Sequence, residues 1–245
     1  MNLEKLKLNI ISSGLWAGLA FAVFFLILWE WGPVFFEIPP YIIPSASSVF
    51  IEFTRAIETE KLFWHAGITF LETIAGFVIG SLLGMSVGYI LGVSPKAEFV
   101  FSPYILALQI APKVAFAPLF VLWFGFTVYP KILVAVLIVF FPIMVNVLGA
   151  IRTVDPDMIN LARTFNASRW QIFKMIEFRD AVPPLFSGLR IGSTLAIIGV
   201  VVGEMVGGSI GLGAILVFAE GAGNTALAFV SIIMLTIVGI IVYGA

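Results

Sequence analysis

Residues 155–192 read DPDMINLARTFNASRWQIFKMIEFRDAVPPLFSGLRIG, and on both sides of them the chain is almost unbroken apolar sequence. This stretch alone gathers Asp155, Asp157, Arg163, Arg169, Lys174, Glu177, Arg179, Asp180 and Arg190, so it belongs in water. Asp155 is a good helix N-cap, and Pro156 suits the first helical position, where its missing N–H costs nothing. Met158, Leu161, Ala162 and Phe165 then follow at i, i+3, i+4, i+7, one apolar stripe. Asn166 tolerates the left-handed conformation of a helix end. Ser168 and Gln171 form a capping-box pattern that starts a second short helix carrying Trp170, Ile172, Phe173 and Ile176, and Pro183 and Pro184 punctuate the chain before the next apolar run. Read on residues alone, this is a cytoplasmic loop whose apolar stripe packs on its own protein.

Outside the loop, composition fixes the class. With 61% hydrophobic and 11% charged residues in 245, and a mean hydropathy of +1.13, the chain is far more apolar than a soluble domain, which runs about 45–50% apolar and 25% charged. It is an all-α integral membrane protein. A formal charge of −1 offers no basic stripe for nucleic acid. With no cysteine and the single His65, neither a thiolate site nor a His-based zinc site can be built. No Lys is followed by Ser or Thr, so the phosphate-loop signature is absent.

Six spans are expected, within one transmembrane domain covering residues 1–245. The first runs from Ile10 to about Trp31, after Lys5 and Lys7. Residues 33–67 are too polar and Pro-rich to span. They suggest an outer-side interfacial helix with Val49, Phe50, Phe53 and Ile57 on one face and His65 as a surface side chain at its end. Ile68 to Val93 is the second span, with Gly76, Gly80, Gly84, Gly88 and Gly92 at a strict spacing of four that reads as a packing seam. Val100 to Gly125, interrupted by Pro103, Pro112 and Pro118, is the third. It carries Gln109 and Lys113 at membrane depth, where an ionisable group marks a candidate water-filled pathway. Ile132 to Ile151 is the fourth, with Asn146 facing a neighbour or the pathway. The loop of residues 152–184 precedes the fifth span, Leu185 to Val202. Residues 203–224 are too rich in Gly to cross as a helix and form an outer-side or half-inserted segment. Glu204 there is either a hydrogen-bonded structural carboxylate or part of a gate. Thr225 to Ala245 is the sixth span, which stops without a basic flank, at an end that is trimmed or very short. With the N-terminus inside, nine of the thirteen Lys and Arg residues fall on the inner side, while Arg55, Lys61 and Lys131 fall outside and Lys113 within the membrane. That is the positive-inside pattern, and it puts the loop in the cytoplasm.

Several of these motifs, in this order, resemble the permeases of ATP-binding cassette importers of the type I, binding-protein-dependent family. Ala162, the run Ala167-Ser168-Arg169-Trp170 and Gly188-Leu189-Arg190 match that family's cytoplasmic "EAA" loop and the opening of the following span. Asn160 stands where the pattern has Glu, Leu161 where it has the first Ala, Asn166 where it has Gly, and Phe178-Arg179 where it has Leu-Pro. Residues 109–125, QIAPKVAFAPLFVLWFG, residues 140–146, FFPIMVN, and Glu204 with Gly211-Leu212-Gly213 are similar to the branch serving nitrate, sulfonate, taurine and pyrimidine-precursor importers. A Lys after this Pro is frequent across that branch. An Arg is common where Glu72 stands, which leaves the partner of that charge open.

The resemblance implies a multi-pass permease of the bacterial inner membrane that does no chemistry of its own. It implies a permease homodimer with a cytoplasmic ATPase dimer below, which would bind the ATP and Mg, and an extracytoplasmic substrate-binding protein above. Asn160, Leu161, Ala162, Phe165, Asn166, Ala167, Ser168, Arg169 and Trp170 would couple to the ATPase. Gln109, Lys113, Asn146 and Glu204 would be pathway or gate candidates. The competing class is a secondary transporter driven by an ion gradient, which often shows internal repeats and paired intramembrane charges; no repeat is evident here.

Overall fold

The computed structural model describes residues 3–244, with side chains from residue 16 onward; the side chains of Lys5, Lys7 and Ile10, and the whole of Ala245, lie outside what is described. The described residues form helices and connecting turns, with no strand among them. Helix α1 is Leu3–Phe35, and its apolar part, Trp16–Phe35, is almost wholly uncovered by the rest of the chain. Trp29 Nε1 donates to Pro44 O at 3.0 Å, and Glu30 accepts from the Ser47 N–H at 2.8 Å and its hydroxyl at 2.7 Å, so α1 is tied down near its C-terminal end.

Helix α2, Ala46–Thr59, buries Val49 and Ala56 while Phe50 and Ile51 face outward. Only part of the apolar face expected for an interfacial helix is therefore turned to the protein. Lys61 then takes a left-handed φ of 51° and starts α3, Leu62–Val93, six residues earlier than the hydropathy pattern suggested. Residues 62–67 read as the end of the outer-side segment because His65 lies among them; in the fold they form the first turns of α3, with Leu62 and Ala66 buried.

The body of the molecule is three mutually packed helices, α3, α6 (Val128–Arg152) and α9 (Phe178–Gly207), with the closest seams those of α6 with α3 and with α9. The glycine ridge makes this possible. A Cβ built on Gly76, Gly80, Gly84, Gly88 or Gly92 would lie 2.5–2.9 Å from an α6 atom, such as the Met144 carbonyl oxygen facing Gly88 at 2.5 Å. Helix α6 is also met by Gly199 and Gly203 of α9, whose Cβ positions fall 2.5 Å from the Cα atoms of Ala135 and Lys131. Small residues on both flanks let backbones approach where lipid supplies no hydrophobic drive, so dispersion holds the seam.

The expected third span is not one helix. Helix α4 (Pro95–Ile110) stops at Ala111, Pro112 leads into a 3₁₀ turn at Lys113–Phe116, and α5 (Ala117–Phe124) leaves at a bend of 83°. Pro112 cannot continue the helical ladder. Counting this broken pair as one crossing gives six spans; without it there are five.

The expected stop at Pro183-Pro184 does not occur. Helix α7 (Pro156–Thr164) is followed by α8 (Arg169–Ile172), a π-helical turn at Phe173–Glu177, and α9, and the last three run on as one helical body, Arg169–Gly207. The two prolines free the carbonyls of Arg179 and Asp180, and both residues are exposed at the end of the bundle, where water can satisfy them. Residues 203–224 divide into the last turn of α9, a tight turn, and α10 (Leu212–Gly221). At 10 residues, α10 is about 15 Å long, half of a bilayer core. It packs with α2 and α11 (Thr225–Gly244) in a cluster that includes Val49, Ala56, Leu62, Ile215, Val230 and Met234.

Candidate functional site

Two sites stand at opposite ends of the bundle. At the first, α7 is shaped by the local signals read from its sequence. Asp155 accepts from the Asp157 N–H at 2.8 Å. Asn166 sits at φ 56°, and the Ala167 N–H donates to Ala162 O while the Asn166 N–H donates to Arg163 O, a Schellman end. The Gln171 N–H then donates to Ser168 Oγ and the Ser168 N–H to Gln171 Oε1, closing the capping box.

The α7 stripe does not pack on its own chain. Met158 is 51% exposed, Leu161 60% and Phe165 79%. Asn160, Asn166, Ser168, Arg169 and Trp170 are likewise exposed, with Ala162 and Ala167 half-buried. Arg169, however, turns back toward the bundle, donating to Glu177 Oε1 at 2.7 Å.

The four pathway candidates do not converge. Gln109 and Lys113 lie together at the break between α4 and α5, where Lys113 Nζ donates to Gln109 O at 2.6 Å and stands 4.9 Å from the centre of the Phe141 ring. Asn146 sits in the α6–α9 seam against Gly188 and donates to Pro142 O. Glu204 is at the far end, fully buried.

Around Glu204 four successive residues of the turn into α10 are each held by a side chain. Ile210 O accepts from Lys131 Nζ at 2.8 Å, and the Gly211 N–H donates to His65 Nδ1 at 2.9 Å. The Leu212 N–H donates to Thr69 Oγ1 at 2.9 Å, and the Gly213 N–H to Glu204 Oε2 at 2.7 Å. The Thr69 hydroxyl in turn donates to Glu204 Oε1 at 2.7 Å. The three N–H groups are orphan donors of the α10 N-terminus, satisfied by side-chain acceptors from α3 and α9, and a carboxylate is well placed at that positive end. Gly211, at φ 116°, must be glycine, because a Cβ there would fall inside the Glu204 carboxyl. Lys131 also pairs with Glu72 at 2.9 Å, both side chains buried.

His65 is therefore half-buried and engaged as an acceptor rather than a free surface side chain, and Lys131 is a buried ion-pair partner rather than an outer-loop charge. Sequence reasoning missed Thr69, His65, Lys131 and Glu72 as members of this group. Their one signal was polarity near span ends, which reads equally as exposure to water.

Both sites can be set beside known proteins. Residues 76–245 match the family model described as "Binding-protein-dependent transport system inner membrane component". The chain is 36% identical over 218 residues to the riboflavin transport system permease protein RibX of Chloroflexus aurantiacus, covering 89% of this chain and 81% of that one. It is 30% identical over 210 residues to the formylaminopyrimidine transport permease protein ThiX of Halalkalibacterium halodurans, covering 84% and 82%. To the nitrate import permease protein NrtB of Leptolyngbya laminosa it is 26% identical over 190 residues, covering 77% and 68%. The glycine seam, the broken span, the loop helix and the buried Glu204 turn all lie within or beside the matched region, and the chain belongs to the family of binding-protein-dependent transport system inner membrane components, as a multi-pass permease of the type I fold.

Proposed function

We propose that this chain is the transmembrane subunit of an ATP-driven importer for a small polar solute of the sulfonate, taurine, nitrate or vitamin and pyrimidine-precursor kind. It works as a homodimer, with an ATPase dimer holding ATP and Mg at the α7 end and a substrate-binding protein at the other. The observation that carries the reading is the uncovered α7 stripe. A short amphipathic helix whose apolar face finds nothing on its own chain is suited to a groove on a partner. Positive-inside charge supports placing it in the cytoplasm, where ATP is. The relatives' names span riboflavin, formylaminopyrimidine and nitrate transport, which supports a small-solute class rather than one substrate.

The broken α4–α5 span supports the pairing of two copies. Irregular backbone at membrane depth is tolerated only where protein covers it or water reaches it. Gln109 and Ile110 beside the break are exposed on this chain, so a second copy and the pathway between the two would supply that cover. Closure of the ATPases would then shift α7 and bias the bundle between two states, each favoured by its own contacts.

Purification of the tagged chain from its own host should bring down an ATPase. Phe165→Asp places a charge in the stripe and is expected to abolish that recovery while leaving the permease folded. A solitary chain, active in uptake driven by an ion gradient, would instead establish a secondary transporter.

A further inference from the structure

Glu177 is a buried charge at the α7 end of the bundle that the functional reading leaves unused. It is 2% exposed, at the inner end of the bundle and the last residue of the π-helical turn Phe173–Glu177. Both its oxygens are occupied, and by different elements. Arg169 of α8 donates to Oε1 at 2.7 Å, and the Tyr89 hydroxyl of α3 donates to Oε2 at 2.9 Å. Arg169 Nη2 also lies 3.4 Å from the Tyr89 oxygen, so the three groups close on one another.

The same three elements are joined by rings. Tyr89 meets Phe173 edge-on at 4.9 Å, and Phe173 lies 5.2 Å from Trp170 and 5.8 Å from Phe178. Behind these rings is an apolar cavity of about 280 Å³, lined by Met85, Val147, Phe173, Phe178 and Leu185 among others. A π-helical turn has a looser hydrogen-bond ladder than an α-helix and often marks a functional site. Here it stands between the loop and α9, with Phe173 and Phe178 lining the cavity rather than locked in a packed core. Tyr89 lies on α3, whose glycine seam with α6 transmits displacement as a rigid contact.

We propose that Arg169, Glu177 and Tyr89 form a latch across the π-helical turn, closed in this state, through which the position of the α7 loop is passed to α3 and α9. Arg169 and Tyr89 each hold one oxygen of Glu177. When the loop moves, Arg169 leaves first, because it is the first residue of α8, next to the loop, and its side chain is half in water, whereas that of Glu177 is buried. The turn is then free to bend, and α9 swings about it. The three are positioning residues for transport, and the latch rests on the importer reading given above.

The test measures uptake and ATP hydrolysis in the same preparation, the permease reconstituted with its co-purified ATPase and binding protein. Glu177→Gln and Tyr89→Phe keep size and shape but weaken the latch. Each should retain the ATPase and hydrolyse ATP, with transport per ATP falling about fivefold or more, the scale of an ordinary coupling between sites. Arg169→Glu should uncouple more severely, and Arg169→Glu with Glu177→Arg should recover a substantial part of the ratio. An unchanged ratio in Glu177→Gln and Tyr89→Phe overturns the latch. So does a parallel loss of uptake and hydrolysis with no recovery in the charge swap, which would mark a purely structural cluster. Absence of any ATPase from the unmodified permease overturns the importer reading itself, and the latch with it.

Discussion

Lys131 shows how much a single buried side chain can hold. It joins Glu72 on α3 to the Ile210 carbonyl before α10, from a site where it is 3% exposed. Removing one member of a buried ion pair leaves the other charge uncompensated and costs about 3–5 kcal/mol, whereas replacing both by apolar groups can be close to neutral. Lys131→Met is therefore expected to lower the thermal midpoint in detergent sharply. Lys131→Met with Glu72→Leu should recover most of the loss but not all, since Ile210 O still lacks its donor. Equal damage in the single and double variants would show that the pair is not what holds the turn. At this scale the sequence was only half legible. Glu204 stood out as a carboxylate among glycines, but Lys131 and His65 read as surface groups, because their partners lie 59 and 146 residues away in the chain.

Among the elements, α3 was the easiest to read and α9 the hardest. A glycine every fourth residue has few meanings in a membrane helix, and the α3–α6 seam is the one that the fold adopts. Gly88 has a Met144 carbonyl oxygen 2.5 Å from where its Cβ would be, while Gly149 of α6 has nothing within 4 Å. Gly88→Ala should thus destabilise by about 1–3 kcal/mol through overpacking. Gly149→Ala should stabilise by about 0.5–1 kcal/mol, the usual difference between the two residues in a helix. Thermal midpoints of the two variants measured side by side decide it, and a neutral Gly88→Ala would mean that the helices are less closely packed than described. The start of α9 misled because Pro183 and Pro184 are ordinarily helix stops; here they fall where freed carbonyls reach water, and the helix passes through them.

For the molecule as a whole, the notable surface is the one left bare. Helix α4 buries none of its side chains in this chain, and Ile110, at its broken end, is 74% exposed. Because the chain has no cysteine, one introduced residue reports without background. Ile110→Cys is expected to form a disulfide-linked dimer in native membranes under mild oxidation. Phe99→Cys, at the opposite end of α4, should cross-link less readily. A chain that stays monomeric at both positions would move the second copy, or the pathway, to another face. The same bareness explains why composition could announce a membrane protein without saying how many copies it takes: lipid and a second permease are both apolar neighbours.

The sequence by itself determined the membrane class, the order of the spans, the water-exposed helix at residues 156–164 with its caps, and the glycine seam. Each of these rests on local periodicity or on residues within one turn of each other. Tertiary structure alone decided that the α7 stripe stays uncovered, that Arg169 turns inward to Glu177 and Tyr89, and that Thr69, His65, Lys131 and Glu204 converge on the turn before α10. Those outcomes depend on which faces of distant helices meet, and that is set by packing across the whole bundle rather than by any pattern along the chain.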